Sequence, residues 1–154
     1  MVPRVFETPD ALREWVGREI GVTDWFTITQ EHILRFADVS GDWQWIHLDP
    51  ERALRESPFR TTIAHGFLTL SLLSRFVRQV YEIRGGVSMT LNYGLNRVRF
   101  PAPVRAGSNI RGHFVLQSVN DVSGALEAVL EVTIEAENSR KPCCVAEWVL
   151  HYYS

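Results

Sequence analysis

The segment from Phe36 to Phe76, FADVSGDWQWIHLDPERALRESPFRTTIAHGFLTLSLLSRF, contains the features on which the fold of this chain depends. Its first half is polar and rich in turn formers, and it concentrates four acid–base side chains: Asp38, Asp42, His47 and Asp49. Its second half opens a helix, from about residue 64 to residue 80, that is too apolar to face water. We therefore predict a helix surrounded by protein, with an acid–base loop close to its first turn.

The chain has 154 residues, of which 45% are hydrophobic and 22% are charged, an ordinary balance for a globular domain. This length predicts one domain covering residues 1–154. The formal net charge of −2 provides no basic field for nucleic acid or an anionic membrane. Neither a membrane span nor a secretory signal is evident, and the adjacent Cys143 and Cys144 suit reduced thiols better than a disulfide. We expect a cytoplasmic protein without nucleic-acid or membrane partners.

Turn and cap residues divide the first half of the chain into helices. A short helix is predicted to begin at Thr8-Pro9-Asp10. Thr29 is expected to cap a second helix that ends at Ser40-Gly41, and Asp49-Pro50 to begin a third that ends at Ser57-Pro58. The residues between the second and third helices, 42–49, are predicted to be irregular.

The period of the hydrophobic pattern changes from 3.6 to 2 after Gly85-Gly86, which predicts four consecutive strands. The first of these is expected to have an apolar face and, near Gly94, a one-residue bulge; that face comprises Val87, Met89, Leu91, Tyr93 and Leu95. A weaker alternation over residues 20–28 predicts one earlier strand. Together these elements predict an α+β hot-dog fold, an antiparallel sheet wrapped around a long central helix. The open edge of a small sheet predicts pairing with a second copy, that is, a homodimer.

Asp42 and His47 are the first candidates for chemistry. Five positions apart, they would point to different sides of a helix, but Gly41 and the irregular residues let the chain fold back and bring them together. A carboxylate and an imidazole that converge can remove one proton and return another. The spacing alone is also found in purely structural pairs.

Gly66 is the second candidate, because a glycine at a helix N-terminus exposes an unpaired N–H with no Cβ in the way. The helix dipole adds positive potential that suits an oxygen gaining negative charge. The alternative is that Gly66 only permits close packing of the helix. His65 is expected to be structural and to bond to the loop before it.

Ser74 lies two helical turns beyond Gly66 and is a candidate for contact with a ligand, although a serine in a buried helix more often bonds to its own backbone. Asp49 is expected to be an N-cap. His47 and Asp49 also resemble a metal pair, but no second cluster completes a coordination shell, so no metal is predicted.

The motifs FADVSGDWQWIHLDPERA and TTIAHGFLTLSLLS closely resemble the MaoC-like dehydratases, a hot-dog family that includes the (R)-specific enoyl-CoA hydratases. Trp-Gln-Trp-Ile-His with NYGLNRVRFPAPVRAG downstream is most similar to the NodN-like branch. The family's catalytic Asp and His fall on Asp42 and His47, its oxyanion-binding glycine on Gly66 and its active-site serine on Ser74. The chain departs from the family's Asp-x-Asn-Pro-x-His motif at Gln44 and Trp45, which affects loop shape and substrate preference.

The resemblance implies reversible syn hydration of a trans-2-enoyl-CoA to a (3R)-3-hydroxyacyl-CoA by a homodimer, without a metal or a redox cofactor; coenzyme A is part of the substrate. An acyl carrier protein in place of coenzyme A stays open. Two alternatives are an acyl-CoA thioesterase on the same fold and an acyl-CoA-binding subunit without turnover. Hot-dog thioesterases generally use a carboxylate on the central helix, and residues 66–80 contain no Asp or Glu.

Overall fold

The computed structural model describes residues 2–154 and has the α+β hot-dog architecture expected from the sequence. The strands are β1 (Arg4–Phe6), β2 (Glu19–Val22), β3 (Phe26–Thr27), β4 (Tyr81–Ile83), β5 (Met89–Arg99), β6 (Asn109–Val122), β7 (Ala125–Ala136) and β8 (Cys144–Tyr153). A 3-10 helix covers Pro9–Trp15, and the α-helices are α1 (Gln30–Ser40), α2 (Trp45–Leu48), α3 (Pro50–Glu56), α4 (Gly66–Ser71) and α5 (Leu73–Val80).

The main sheet is antiparallel, with strand order β2-β6-β7-β8-β5, and β3 also pairs with β6. The strict apolar alternation of β7 and β8 places one face of each strand in the core, as shown by the buried pairs Leu130–Trp148 and Val132–Ala146. The short strands β1 and β4, which the sequence pattern did not reveal, form a separate parallel pair. In the main sheet, β5 forms one edge.

The central helix packs on the sheet through Leu73, Phe76 and Val80, all buried. Two predictions about it were wrong. It divides at Leu72, where the backbone stays helical but the N–H bonds to the Thr69 carbonyl, three residues back, at 3.3 Å. It is also not enclosed within one chain, because Phe67 is 69% exposed and Ser74 lies on the same open side.

The apolar residues of β5 lie on the outer side of the sheet, a direction that the sequence pattern did not specify. Thr90 and Asn92 stand opposite Tyr152 and Leu150, so these polar side chains point toward the helix. Met89, Leu91 and Tyr93 therefore lie on the outer face, where all three are exposed. The predicted bulge is confirmed by register shifts between Asn92 and Gly94 and between Leu95 and Arg97, after which Leu95 faces Trp148.

The predicted cap residues are confirmed at several helix ends. The Thr29 hydroxyl accepts the N–H of His32 at 3.2 Å, and the Asp49 carboxylate accepts the N–H of Arg52 at 2.9 Å. Gly41, with φ of 72°, ends α1 in the left-handed region that glycine favours. Residues 42–49 are not wholly irregular, since α2 forms a single turn within them.

Two further predictions can be compared with the structure. Cys143 and Cys144 are both free and buried thiols, as expected. Among residues 2–154, no helix combines the length and the hydropathy needed to cross a bilayer.

Candidate active site

The loop after α1 holds Asp42 at the edge of the site. Its N–H donates to the Ser40 hydroxyl at 3.3 Å, and its Oδ1 accepts the N–H of Gln44, also at 3.3 Å. The second carboxylate oxygen, Oδ2, points toward His47. The left-handed turn at Gly41 thus reverses the chain and brings the carboxylate back toward α2, as the sequence predicted.

His47 lies in the single turn of α2 and is only 6% exposed. Its Nδ1 lies 2.7 Å from the main-chain oxygen of Ile63. Because a carbonyl oxygen only accepts, Nδ1 must bear the proton, and in the neutral ring Nε2 keeps its lone pair. This Nε2 lies 4.0 Å from Oδ2 of Asp42, too far for a direct hydrogen bond. The two acceptor atoms therefore face each other across a short gap.

Gln30 and Thr62 fix the main chain of His47 through hydrogen bonds, and neither residue was predicted from the sequence. The Gln30 side-chain amide donates to the His47 carbonyl at 2.8 Å, and the buried Thr62 hydroxyl donates to the Gln30 amide oxygen. A glutamine in the first turn of a helix is common, and nothing in its sequence position signals a contact 17 residues away.

The environment lowers the pKa of His47 below its usual value of 6.5. Burial is the main cause, because it disfavours the charged ring, and the bond to the Ile63 carbonyl opposes it. His65 lowers the pKa further, whereas Asp42 raises it. The net result favours a neutral imidazole that is ready to accept a proton at neutral pH.

His65 joins this pair, and it also bonds to the preceding loop as expected. Its ring stacks on that of His47, with centroids 3.8 Å apart and planes 23° apart, and its Nε2 lies 3.0 Å from the Asp42 carbonyl oxygen. One ring atom or carboxylate oxygen from each of Asp42, His47 and His65 lies within 4.8 Å of the others. Stacked rings direct their in-plane lone pairs along nearly parallel planes, so this geometry suits a shared metal ion poorly.

Gly66 and His47 line the same cavity, which has a volume of about 410 Å³ and is bounded on the other side by Phe100 and Pro101. As the first residue of α4, Gly66 has no intrahelical acceptor for its N–H. A Cβ at this position would lie 3.1 Å from the Phe100 ring. The glycine therefore permits close packing of Phe100 and also leaves an N–H beside the cavity, so both sequence interpretations retain support.

Ser74 does not line the cavity that contains His47 and Gly66. It lines two other cavities, of about 370 and 260 Å³, which lie between the helix and the strands β5 and β8. Asn92 and Trp148 also line both of them, and the three side chains are linked: Trp148 Nε1 donates to Asn92 Oδ1 at 3.0 Å, and Asn92 Nδ2 lies 3.5 Å from Ser74 Oγ. These side chains form a partition between the two cavities.

A hot-dog fold with a neutral histidine, a facing carboxylate and an adjacent helix N–H has the features of a hydro-lyase. Comparison with known proteins agrees with this class. Residues 12–138 match the family model described as "MaoC like domain", and the chain belongs to that family.

Relatives extend the match over almost the whole chain. It is 51% identical to the 3-hydroxyacyl-thioester dehydratase Z of Mycobacterium tuberculosis, over 97% of this chain and 98% of that protein. It is 47% identical to nodulation protein N of Rhizobium leguminosarum bv. viciae, over 87% and 84% of the two chains, which confirms the NodN-like branch. Its fold is similar to that of the (R)-hydratase from A. caviae, with a TM-score of 0.71, 23% identity, and coverage of 88% of this chain and 94% of that one.

Proposed function

We propose that the protein is an (R)-specific enoyl-CoA hydratase, which adds water reversibly and syn to a trans-2-enoyl-CoA to give the (3R)-3-hydroxyacyl-CoA. Asp42 and His47 activate the water. The observation that supports this best is the 4.0 Å separation of two acceptors, His47 Nε2 and Asp42 Oδ2, beside the cavity of Gly66. A water molecule between them can donate one O–H to each and direct its oxygen lone pair at carbon 3.

In this mechanism the Gly66 N–H polarises the thioester carbonyl, which makes carbon 3 electrophilic and lets carbon 2 bear transient negative charge. The water oxygen bonds to carbon 3 as one of its O–H protons passes to the Asp42–His47 pair and the carbon–carbon π electrons move toward carbon 2. The pair then returns that proton to carbon 2, so the net change is addition of OH and H. Because one water and one pair supply both parts, they reach the same face of the double bond. The two residues act as one coupled acid–base unit, and the chemistry requires neither a metal nor a redox cofactor.

The thioesterase alternative is less well supported. The helices α4 and α5 contain no Asp or Glu, so the usual helical carboxylate for thioester hydrolysis has no counterpart here. A binding subunit without turnover would have no need for a buried histidine whose pKa is lowered and whose tautomer is fixed.

We also propose that the active form is a homodimer joined along β5. This strand is an edge of 11 residues whose outer face exposes Met89, Leu91 and Tyr93. Long apolar edges are prone to pairing with another chain, and a second copy would cover both the edge and the open side of the central helix around Phe67.

Ser74 is proposed to contact the acyl chain of the substrate rather than its thioester. Residues of α4 or α5 line each of the three cavities on one side. Opposite them, Phe100, just after β5, lines the cavity of Gly66, whereas Leu95 and Asn92 of β5 line the two cavities of Ser74. An acyl chain that leaves the thioester at Gly66 can follow this path toward Ser74.

Absorbance at the enoyl-thioester band with crotonyl-CoA tests the proposed activity. Loss of absorbance without release of thiol indicates hydration, release of thiol indicates hydrolysis, and no change favours binding alone. Asp42→Asn and His47→Gln preserve size and should each lower kcat by about a hundred- to ten-thousand-fold. Full activity in either variant would remove that residue from the mechanism, and turnover of the (3S) product would reject the stereochemical proposal.

A further inference from the structure

His65 occupies a position inside the site that packing alone does not explain. The side chain is 4% exposed and lies between Phe36, whose ring centroid is 5.0 Å away, and His47, at 3.8 Å. Many apolar side chains would fill such a space. An imidazole brings two polar nitrogens into it, and leaving polar groups without partners in a buried site is costly.

The hydrogen bonds of His65 fix its tautomer. Nε2 faces the main-chain oxygen of Asp42 at 3.0 Å, so Nε2 must bear the proton. Nδ1 is buried and has no hydrogen-bond partner within residues 2–154. In the neutral ring Nδ1 keeps its lone pair, so the hydrogen bond that the side chain makes within residues 2–154 is the one that Nε2 donates to Asp42.

The bond to Asp42 is shorter than the others that hold this residue. The remaining contacts of Asp42 with its own loop, to Ser40 and Gln44, are both 3.3 Å long and local in sequence. The bond from His65 instead ties the loop to the N-terminus of α4, 23 residues away. Because Oδ2 of Asp42 must stay opposite Nε2 of His47, the position of the Asp42 main chain sets the gap in which the water is held.

We propose that His65 is a positioning residue for the hydration reaction: its Nε2–H holds the Asp42 main chain so that the carboxylate faces His47, while its ring supports the His47 ring. This inference rests on the hydratase function proposed above. A small misplacement of a catalytic group can lower the rate about a hundredfold, which is the size of effect expected when the donor is lost.

A set of three substitutions separates positioning from packing. His65→Gln keeps an N–H donor near the place of Nε2 but removes the ring. His65→Phe keeps a stacking ring and removes the donor. His65→Asn is the matched control for Gln, because it has the same amide on a chain too short to reach Asp42 in place of Nε2.

The assay measures kcat and KM of the full-length protein with crotonyl-CoA, after circular dichroism has verified folding. If His65 positions Asp42, His65→Gln should stay within about tenfold of the wild type, whereas His65→Phe and His65→Asn should lose about a hundredfold in kcat with little change in KM. If His65 only fills space, the order reverses, and Phe equals or exceeds Gln. That order overturns the inference.

A second measurement needs no turnover. Nitrogen-15 NMR of histidine-labelled wild-type protein should show that the neutral His65 ring carries its proton on Nε2. A neutral ring with its proton on Nδ1 overturns the inference even if no variant folds. The two proposals fail in different ways. If the wild-type protein hydrates no enoyl thioester, both the proposed function and the role of His65 are overturned. If the wild type is active but His65→Phe equals or exceeds His65→Gln in kcat, only the role of His65 is overturned.

Discussion

We expect Gly66→Ala to fold and yet to lose most of its activity. The added Cβ would lie 3.1 to 3.2 Å from three carbons of the Phe100 ring, a few tenths of an ångström closer than ordinary contact. Phe100 is 40% exposed, so its ring has room to turn away. The destabilisation should therefore be near the lower end of the range for overpacking, about 1 kcal/mol. For a chain of this size, that lowers the Tm by about 2 to 4 °C.

The loss of activity should be larger than this change in stability suggests. Both the new methyl group and the displaced Phe100 ring stand beside the N–H that is proposed to bind the thioester oxygen. Removal of one oxyanion donor typically lowers kcat by about a hundred- to a thousandfold, and partial obstruction should lower it by at least about tenfold. Thermal unfolding and the crotonyl-CoA assay measure the two effects on the same preparation.

The double variant Gly66→Ala/Phe100→Ala decides between chemistry and packing. Alanine removes all three ring carbons that the Cβ meets, so the Tm should return to that of the single variant Phe100→Ala, which is the matched control. If Gly66 serves the oxyanion, kcat of the double variant stays at least about tenfold below that control. Recovery of both Tm and kcat would refute the oxyanion assignment and leave Gly66 as a packing residue.

Three further outcomes are expected. Because burial lowers the pKa of His47, the acid limb of kcat/KM, where His47 gains its proton, should be centred below pH 6.5. An acid limb centred above 6.5 in a pH–rate profile would contradict the neutral-base interpretation. Asn92→Ala should join the two cavities and raise kcat/KM for long enoyl-CoA chains relative to crotonyl-CoA, and an unchanged ratio across a chain-length series would show that the partition does not select substrates. Tyr93→Lys should place like charges near the centre of the paired edges and shift the protein toward monomer in sedimentation equilibrium. The control Val39→Lys, on α1, should leave the dimer intact. A stable and active wild-type monomer would reject the proposed dimer.

The features that local chemistry determines were readable from the sequence. Thr29, Gly41 and Asp49 end or begin helices through contacts with residues at most four positions away, and the alternation of β7 reflects one buried face. The approach of Asp42 to His47 was also predictable, because the two residues are five positions apart on either side of a turn.

The features that the sequence did not reveal depend on contacts between distant segments. Gln30 and Thr62 support His47 from α1 and from the segment before α4, and no local pattern records such a meeting. The polar residues Thr90 and Asn92 face the helix and line a cavity there, so the hydrophobic alternation of β5 does not show which face is the inner one. The break at Leu72 is a single tightened turn at a residue that keeps helical backbone angles, so helix periodicity does not register it.

The contact between His47 and Ile63 has a consequence for how the site can vary. The group that fixes the tautomer of His47 is a peptide oxygen, and the N–H of the same residue donates to the Ile46 carbonyl at 3.1 Å. No substitution of the Ile63 side chain removes that oxygen, so the tautomer of the His47 ring is protected from point mutation at its own hydrogen-bond partner. Variation at this position can reshape the cavity that the side chain lines while the acid–base chemistry stays the same.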